Sequence, residues 1–257
     1  MAVALFALML SGMFYYMYRI RRRRNKELHL INASKDKLFS IISHDLKSPV
    51  AAQRLALEGL LDNLEEYDRG QLARHLRLLH HSTEAQMELL QNLLNWARME
   101  TGQMKYNSTQ FDMGMLMKEV AGVYELPAQN KGVTLRTRIE ENCIVQADRP
   151  MIHTVMRNLM NNAVKFSHPG SEILVSVSCD DEHAHVTVKD SGMGMTALQI
   201  EKLFTPGEAR LTTGTRGEKG SGLGLIICKD LLQRNGSGLH INSAPNVGTE
   251  VSFSLKI

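Results

Sequence analysis

The sequence predicts a multi-domain chain, α followed by α+β: a transmembrane helix, a helical hairpin of the kind that builds four-helix bundles, and a two-layer α/β sandwich. Three observations predict it. Residues 1–18 are almost wholly apolar and run straight into a cluster of arginines. Residues 35–99 carry apolar side chains at steps of three and four, with one polar break. From residue 111 onward short β-type runs interleave with helical ones. The boundaries read as a transmembrane helix 1–18, a basic juxtamembrane stretch 19–34, a hairpin 35–100, a linker 101–110 and a sandwich 111–257.

Eighteen apolar residues of helix span ~27 Å, close to the hydrocarbon thickness of a bilayer. Tyr15, Tyr16 and Tyr18 gather at one end, where an aromatic belt sits. The positive cluster follows the apolar run, whereas a secretory signal carries it ahead. Positive charge stays inside, so the C-terminal body is expected in the cytoplasm. No sensing segment is read ahead of the apolar run, and the expectation is that this chain is the C-terminal part of a longer receptor.

The bulk composition is that of a globular protein, with 43% hydrophobic and 22% charged residues among 257. Net charge is +3, yet Arg19, Arg21, Arg22, Arg23, Arg24 and Lys26 supply six of the 30 basic residues. Without them 24 basic residues face 27 acidic ones, so the body is mildly acidic and has no nucleic-acid surface. Cys143, Cys179 and Cys228 are sparse and odd in number, which reads as buried reduced thiols rather than a disulfide framework. None has metal-ligand spacing with a histidine.

In the hairpin, Phe39, Ile42 and Leu46, then Leu57, Leu60 and Leu64, keep one face of a helix over 35–64 apolar. His44 is two positions from Ile42 and from Leu46, so at ~100° per residue it stands ~200° round, on the wet side. Asp45 is beside it, and Pro49 removes a backbone donor and bends the helix. The second helix, 69–99, has a near-heptad stripe of Leu72, Leu76, Leu79, Thr83, Met87, Leu90, Leu94 and Ala97. His75, His80 and His81 read as solvated positions. One hairpin cannot cover its own stripes, so two copies in a dimeric four-helix bundle are expected.

Residues 101–110 are polar and read as a linker. After them come a helix over 112–130 closed by Lys131-Gly132, strands over 133–139 and 143–147, and a helix over 149–166 capped by Asp148. A hairpin over 172–179 and 184–189, a helix over 222–235, and strands over 239–243 and 249–255 complete the chain.

Three stretches in this half carry chemistry. Asn158-Leu-Met-Asn-Asn162-Ala-Val-Lys165-Phe166 places Asn158, Asn162 and Lys165 at i, i+4 and i+7, on one helix face. Neutral amide oxygens suit a hard cation such as magnesium, and a lysine one turn on suits phosphate. Asp190-Ser-Gly192-Met-Gly194-Met follows a strand, where glycines let backbone approach a flat ligand. Gly220-Ser-Gly222-Leu223-Gly224-Leu opens a helix, whose exposed amides favour an anion. It lacks the strand that a dinucleotide fingerprint needs immediately before it.

Taken in order, these stretches and His44-Asp45-Leu-Lys-Ser48-Pro49 resemble the boxes of bacterial sensor histidine kinases, over roughly residues 32–257. The resemblance implies that His44 accepts the phosphoryl group of ATP, with Asp45 orienting its ring and helping to take its proton. It implies that Asn162 is the magnesium ligand, that Asn158 supports it, and that Lys165, beside Phe166, reaches the phosphates. Asp190 would read adenine, with Gly192 and Gly194 shaping that box. Leu203-Phe204-Thr-Pro206 resembles the short phenylalanine box, and residues 207–220 read as a lid. Gly220, Gly222, Leu223 and Gly224 would cradle the triphosphate, with Lys219 adding a phosphate contact.

The implied activity is an ATP- and Mg²⁺-dependent protein-histidine kinase, anchored in the inner membrane of a bacterium with its catalytic part in the cytoplasm. It would act as a homodimer and pass the phosphoryl group to an aspartate on a separate response regulator. Many family members that dephosphorylate their regulator have Thr or Asn four positions after the histidine, and Ser48 there leaves phosphatase activity open. Two other readings compete. An ATP-hydrolysing clamp of the gyrase, mismatch-repair or heat-shock type carries a glutamate where this chain has Asn158, which cannot act as a base. A non-catalytic scaffold would lack His44, Asn162 or Asp190, and all three are present.

Overall fold

The computed structural model describes residue 6 and residues 12–19, 21–22, 50–64, 67–100, 106–204, 213–218 and 222–257. The chain separates into two compact units, Met1–His44 and Asp45–Ile257. In the first, Phe6 and residues 12–19 and 21–22 are helical and exposed. Among the described residues no helix is long and apolar enough to cross a membrane. The rest of the apolar stretch 1–18 lies outside the described residues.

The second unit begins with a helical hairpin. Helix α1 is described over 50–62 and α2 is Arg69–Glu100. Asp68 starts α2: its Oδ1 accepts from Gln71 N–H at 2.7 Å, while its own N–H donates to Gln71 Oε1 at 3.0 Å. That reciprocal pair satisfies donors a helix start leaves open. Gln53 Nε2 donates to Thr83 Oγ1 at 3.2 Å and ties α1 to α2. Of the expected stripes, Leu60 is buried, while Leu57, Leu64, Leu76, Met87, Leu90 and Leu94 are exposed in the single chain. His75 departs from the solvated reading. It is half-buried, its Nδ1 lies 2.9 Å from Gln71 O, and its ring packs 5.1 Å from that of Tyr67.

The sandwich contains β1 (Thr109–Asp112), α3 (Met113–Lys131), β2 (Thr134–Ile139), β3 (Ile144–Ala147) and α4 (Arg149–Phe166). It continues through β4 (Glu172–Cys179), β5 (His183–Asp190), α5 (Ala197–Lys202), α6 (Gly224–Arg234), β6 (His240–Ala244) and β7 (Gly248–Lys256). The main sheet has the order β2-β4-β5-β7-β6, with β2 and β4 parallel and the other pairs antiparallel. Alternation sets its faces. Ile173, Val175 and Val177, then Ala184, Val186 and Val188, then Val251, Phe253 and Leu255 are buried under the helices. Their neighbours Ser176, Thr187, Ser252 and Ser254 point the other way.

Helix α4 is the centre of the helical layer. Asp148 accepts from Met151 N–H at 3.0 Å and caps it, and Met151, Ile152, Val155, Met156, Leu159, Met160 and Ala163 form its buried stripe. Each large side chain in that stripe contributes roughly 1.5–3 kcal/mol by burial.

Two further expectations are corrected. The linker reading of Thr109 and Gln110 gives way to strand β1, which pairs antiparallel with β3 (Phe111 opposite Val145) as a separate two-stranded sheet. Four residues are too few for alternation to show. The reduced-thiol reading fails for two cysteines: Cys143 and Cys179 form a disulfide with Cα atoms 6.0 Å apart. Their separation of 36 residues hid the pair, which forms where the turn before β3 folds over the end of β4. There Cys179 N–H donates to Glu140 Oε2 at 2.8 Å, and Glu140 N–H donates to Val177 O at 2.9 Å. Cys228 is free and buried, and burial pushes its thiol pKa up.

Candidate nucleotide-binding site

The last two turns of α4 are where the separate motifs meet. Asn158 is only 8% exposed, and its Nδ2 donates to Thr154 O at 3.1 Å, which leaves Oδ1 pointing toward the start of α6. A Cβ built on Gly224 would stand 3.2 Å from that Oδ1. Glycine therefore lets the N-terminus of α6 close on α4. Leu223 is buried at the N-cap position of α6 and makes no side-chain cap. Gly222, just before it, has φ +67°.

One turn on, Asn162 is half-buried. Lys165 Nζ lies 5.0 Å from the centroid of the Phe166 ring. The Phe166 carbonyl accepts from Met193 N–H at 3.1 Å, which fastens the loop after β5 to the end of α4. Gly192 is required at that junction because a Cβ there would overlap the Phe166 carbonyl oxygen. Gly194 has φ +62° and presses on the Ala244 carbonyl oxygen in the same way.

Asp190 ends β5 and is 8% exposed. Its Oδ1 accepts from Gly192 N–H at 2.9 Å and from Thr249 N–H at 3.2 Å. Burial raises its carboxyl pKa, and these two bonds oppose the shift. Phe204 follows α5, whose start is fixed by a capping box between Thr196 and Gln199. Lys229 Nζ stands 4.4 Å over the Phe204 ring and links it to α6.

The structure thus brings Asn158, Asn162, Lys165 and Phe166 on α4 together with Asp190, Gly192 and Gly194 on one side and Gly222, Leu223 and Gly224 on the other. His44, Asp45, Ser48, Lys219 and Gly220 lie outside the described residues. The donor set fits a magnesium nucleotide: amide oxygens for the cation, a lysine for phosphate, a buried carboxylate acceptor and glycines at each close approach. Two residues that motif reading passed over also belong to the surroundings. Lys131 at the end of α3 donates to the Lys165 carbonyl at 2.5 Å, and Glu218 accepts from the same ammonium at 2.6 Å. A helix-ending lysine is an ordinary dipole partner, and nothing in the spacing marks it.

Known families match in the same order. Residues 34–102 match the His Kinase A (phospho-acceptor) domain, and residues 147–257 match the histidine kinase-, DNA gyrase B-, and HSP90-like ATPase. The chain belongs to the two-component sensor histidine kinases.

Among histidine kinases, it is 27% identical over 237 residues to sensor histidine kinase RcsC of Salmonella typhimurium (strain LT2), covering 87% of this chain and 23% of that protein. It is 26% identical over 216 residues to sensor histidine kinase WalK of Bacillus subtilis (strain 168), covering 83% of this chain and 35% of that protein. The chain therefore spans a minor part of these relatives. The solved structure of histidine kinase ThkA in complex with response regulator protein TrrA shares the fold, with a TM-score of 0.65 at 19% identity over 94% of this chain and 66% of that one.

Proposed function

We propose that this chain is an ATP-dependent protein-histidine kinase that phosphorylates itself on His44 and passes the phosphoryl group to an aspartate of a separate response regulator. The observation that carries the reading is the meeting of Asn158 with Gly224, one turn of α4 before Asn162 and two before Lys165. In that arrangement Asn162 holds magnesium and Asn158 braces the site. Lys165 and the amides opening α6, from Gly222 to Gly224, bind phosphate oxygens, with Lys219 and Gly220 completing the cradle. Magnesium supplies neutralisation of the phosphate charge. Asp190 accepts from the adenine amino group, and Phe166 and Phe204 flank the site.

The His44 ring nitrogen attacks the γ-phosphorus in line as the bond to ADP breaks, and Asp45 orients the ring and takes up its proton. Positioning, rather than covalent work by the protein, carries the catalysis.

The domain limits, membrane anchor and location belong to the same proposal. Phe6, Met13, Phe14, Tyr15, Tyr16 and Tyr18 are exposed, which suits a lipid-facing helix over 1–18 in the inner membrane. Residues 35–100 form the phosphotransfer hairpin and 111–257 the ATP-binding domain, both in the cytoplasm. The exposed stripe of Leu76, Met87, Leu90 and Leu94 fits a homodimer.

The test is calorimetric titration of the full chain with ATP and magnesium. Asn162→Asp adds charge where a neutral ligand is needed and should weaken binding by more than about tenfold. Unaltered affinity would remove Asn162 from the site.

A further inference from the structure

Residues 213–218 form a short strap that is tied to the ends of two helices. Thr215 donates its N–H to the Lys165 carbonyl at 3.2 Å and its hydroxyl to the Ser167 carbonyl at 2.7 Å, at the C-terminus of α4. Arg216 donates to the Asn130 and Lys131 carbonyls, both at 3.0 Å, at the C-terminus of α3. Helix ends leave such carbonyls without partners, so the strap serves as a cap shared by both helices. Gly214 packs without room to spare: a Cβ there would stand 2.8 Å from Lys165 Cγ and 2.9 Å from Lys165 O.

At the centre of this arrangement is Lys131, only 4% exposed. Its ammonium reaches the Lys165 carbonyl at 2.5 Å and Glu218 Oε1 at 2.6 Å. Glu218 uses its other oxygen to accept from Arg216 N–H at 2.7 Å. A buried ammonium is tolerated only when paired and hydrogen-bonded, so strap, α3 and α4 hold together or loosen together.

We infer that Lys131 is a positioning residue for nucleotide binding, acting with Glu218 to lock the α4 turn that carries Lys165 to the strap. The inference rests on the reading of the α4 pocket as an ATP site. With the lock closed, ATP meets a formed pocket. With it broken, only a fraction of molecules is competent, and apparent affinity falls by that fraction while the chemical step is untouched. The expected signature is therefore a change in KM rather than kcat.

The test uses the full chain in detergent micelles, with ATP and magnesium as the probe. Lys131→Met and Glu218→Gln should each weaken ATP binding about tenfold, as loss of a charged hydrogen bond does. Each should raise KM for ATP in autophosphorylation by a similar factor and leave kcat within about twofold. The double variant should match the single ones, because both remove the same lock. Glu218→Gln changes no volume and keeps the test valid if Lys131→Met fails to fold. Wild-type affinity in a folded Glu218→Gln variant, additive losses in the double variant, or a fall in kcat at unchanged KM would overturn the inference and leave the ATP site standing. If the wild-type chain binds no ATP, the pocket reading fails and takes the inference with it.

Discussion

Asn158 and Gly224 stand against each other where α4 meets α6: a methyl group on Gly224 would lie 3.2 Å from Asn158 Oδ1. That distance is short enough for the neighbour to yield by a few tenths of an ångström to one carbon, but not to a branched side chain. Gly224→Ala is expected to keep ATP affinity within about threefold, and Gly224→Val to lower it about tenfold or more, in line with the cost of overpacking. Calorimetry with magnesium ATP checks the gradient, and equal affinities would show that this contact does not shape the pocket.

Asp190 separates binding from stability. Burial raises its pKa, so the stability linked to its protonated form is present below the ordinary carboxylate pKa and is lost as pH rises through the folded value. At neutral pH the ionised group is a cost to the fold. Asp190→Asn keeps an oxygen for the Gly192 and Thr249 amides and removes that cost. The variant is expected to melt no lower than wild type at pH 7 and to have a flatter stability profile above pH 4. It should bind ATP more than about tenfold more weakly. Melting curves against pH, paired with calorimetry, check both halves.

The bond between Cys143 and Cys179 closes a loop of 36 residues. Chain entropy assigns such a loop about 4 kcal/mol. Reduction, or Cys179→Ser, should lower Tm by roughly 8–16 °C at the sensitivity usual for a domain of about 150 residues. Melting with and without dithiothreitol measures this. An unchanged Tm would mean that the two thiols are not bonded in solution.

The stripe on α2 predicts a dimer that charge can break. Met87→Glu and Leu94→Glu together place two carboxylates on an exposed apolar face and should convert the chain from dimer to monomer in light scattering. A dimer that persists would place the interface elsewhere.

Much of this was legible in the sequence because local signals agreed. Asp148 before a helical stripe, and Lys131-Gly132 after one, mark α4 and α3 to within a residue, since caps and apolar period point the same way. The α4 motif meets α6 at Asn158 and Gly224 and the loop after β5 at Phe166 and Met193. The illegible parts depend on distant pairing. Strand β1 is visible only through β3, and the Cys143–Cys179 bond only through the fold that joins the two ends. Lys131 and Glu218 lie 87 residues apart, and each reads alone as a surface charge. The capping box of Thr196 and Gln199, by contrast, was a readable signal for α5.

The most direct test of the central claim is incubation of the full chain with γ-labelled ATP and magnesium, followed by acid and alkali treatment of the labelled protein, for wild type and His44→Gln. Wild type should carry a label that acid removes and alkali spares, and a His44→Gln variant that still binds ATP should carry none. An acid-stable label, or labelling that persists in His44→Gln, would contradict that claim.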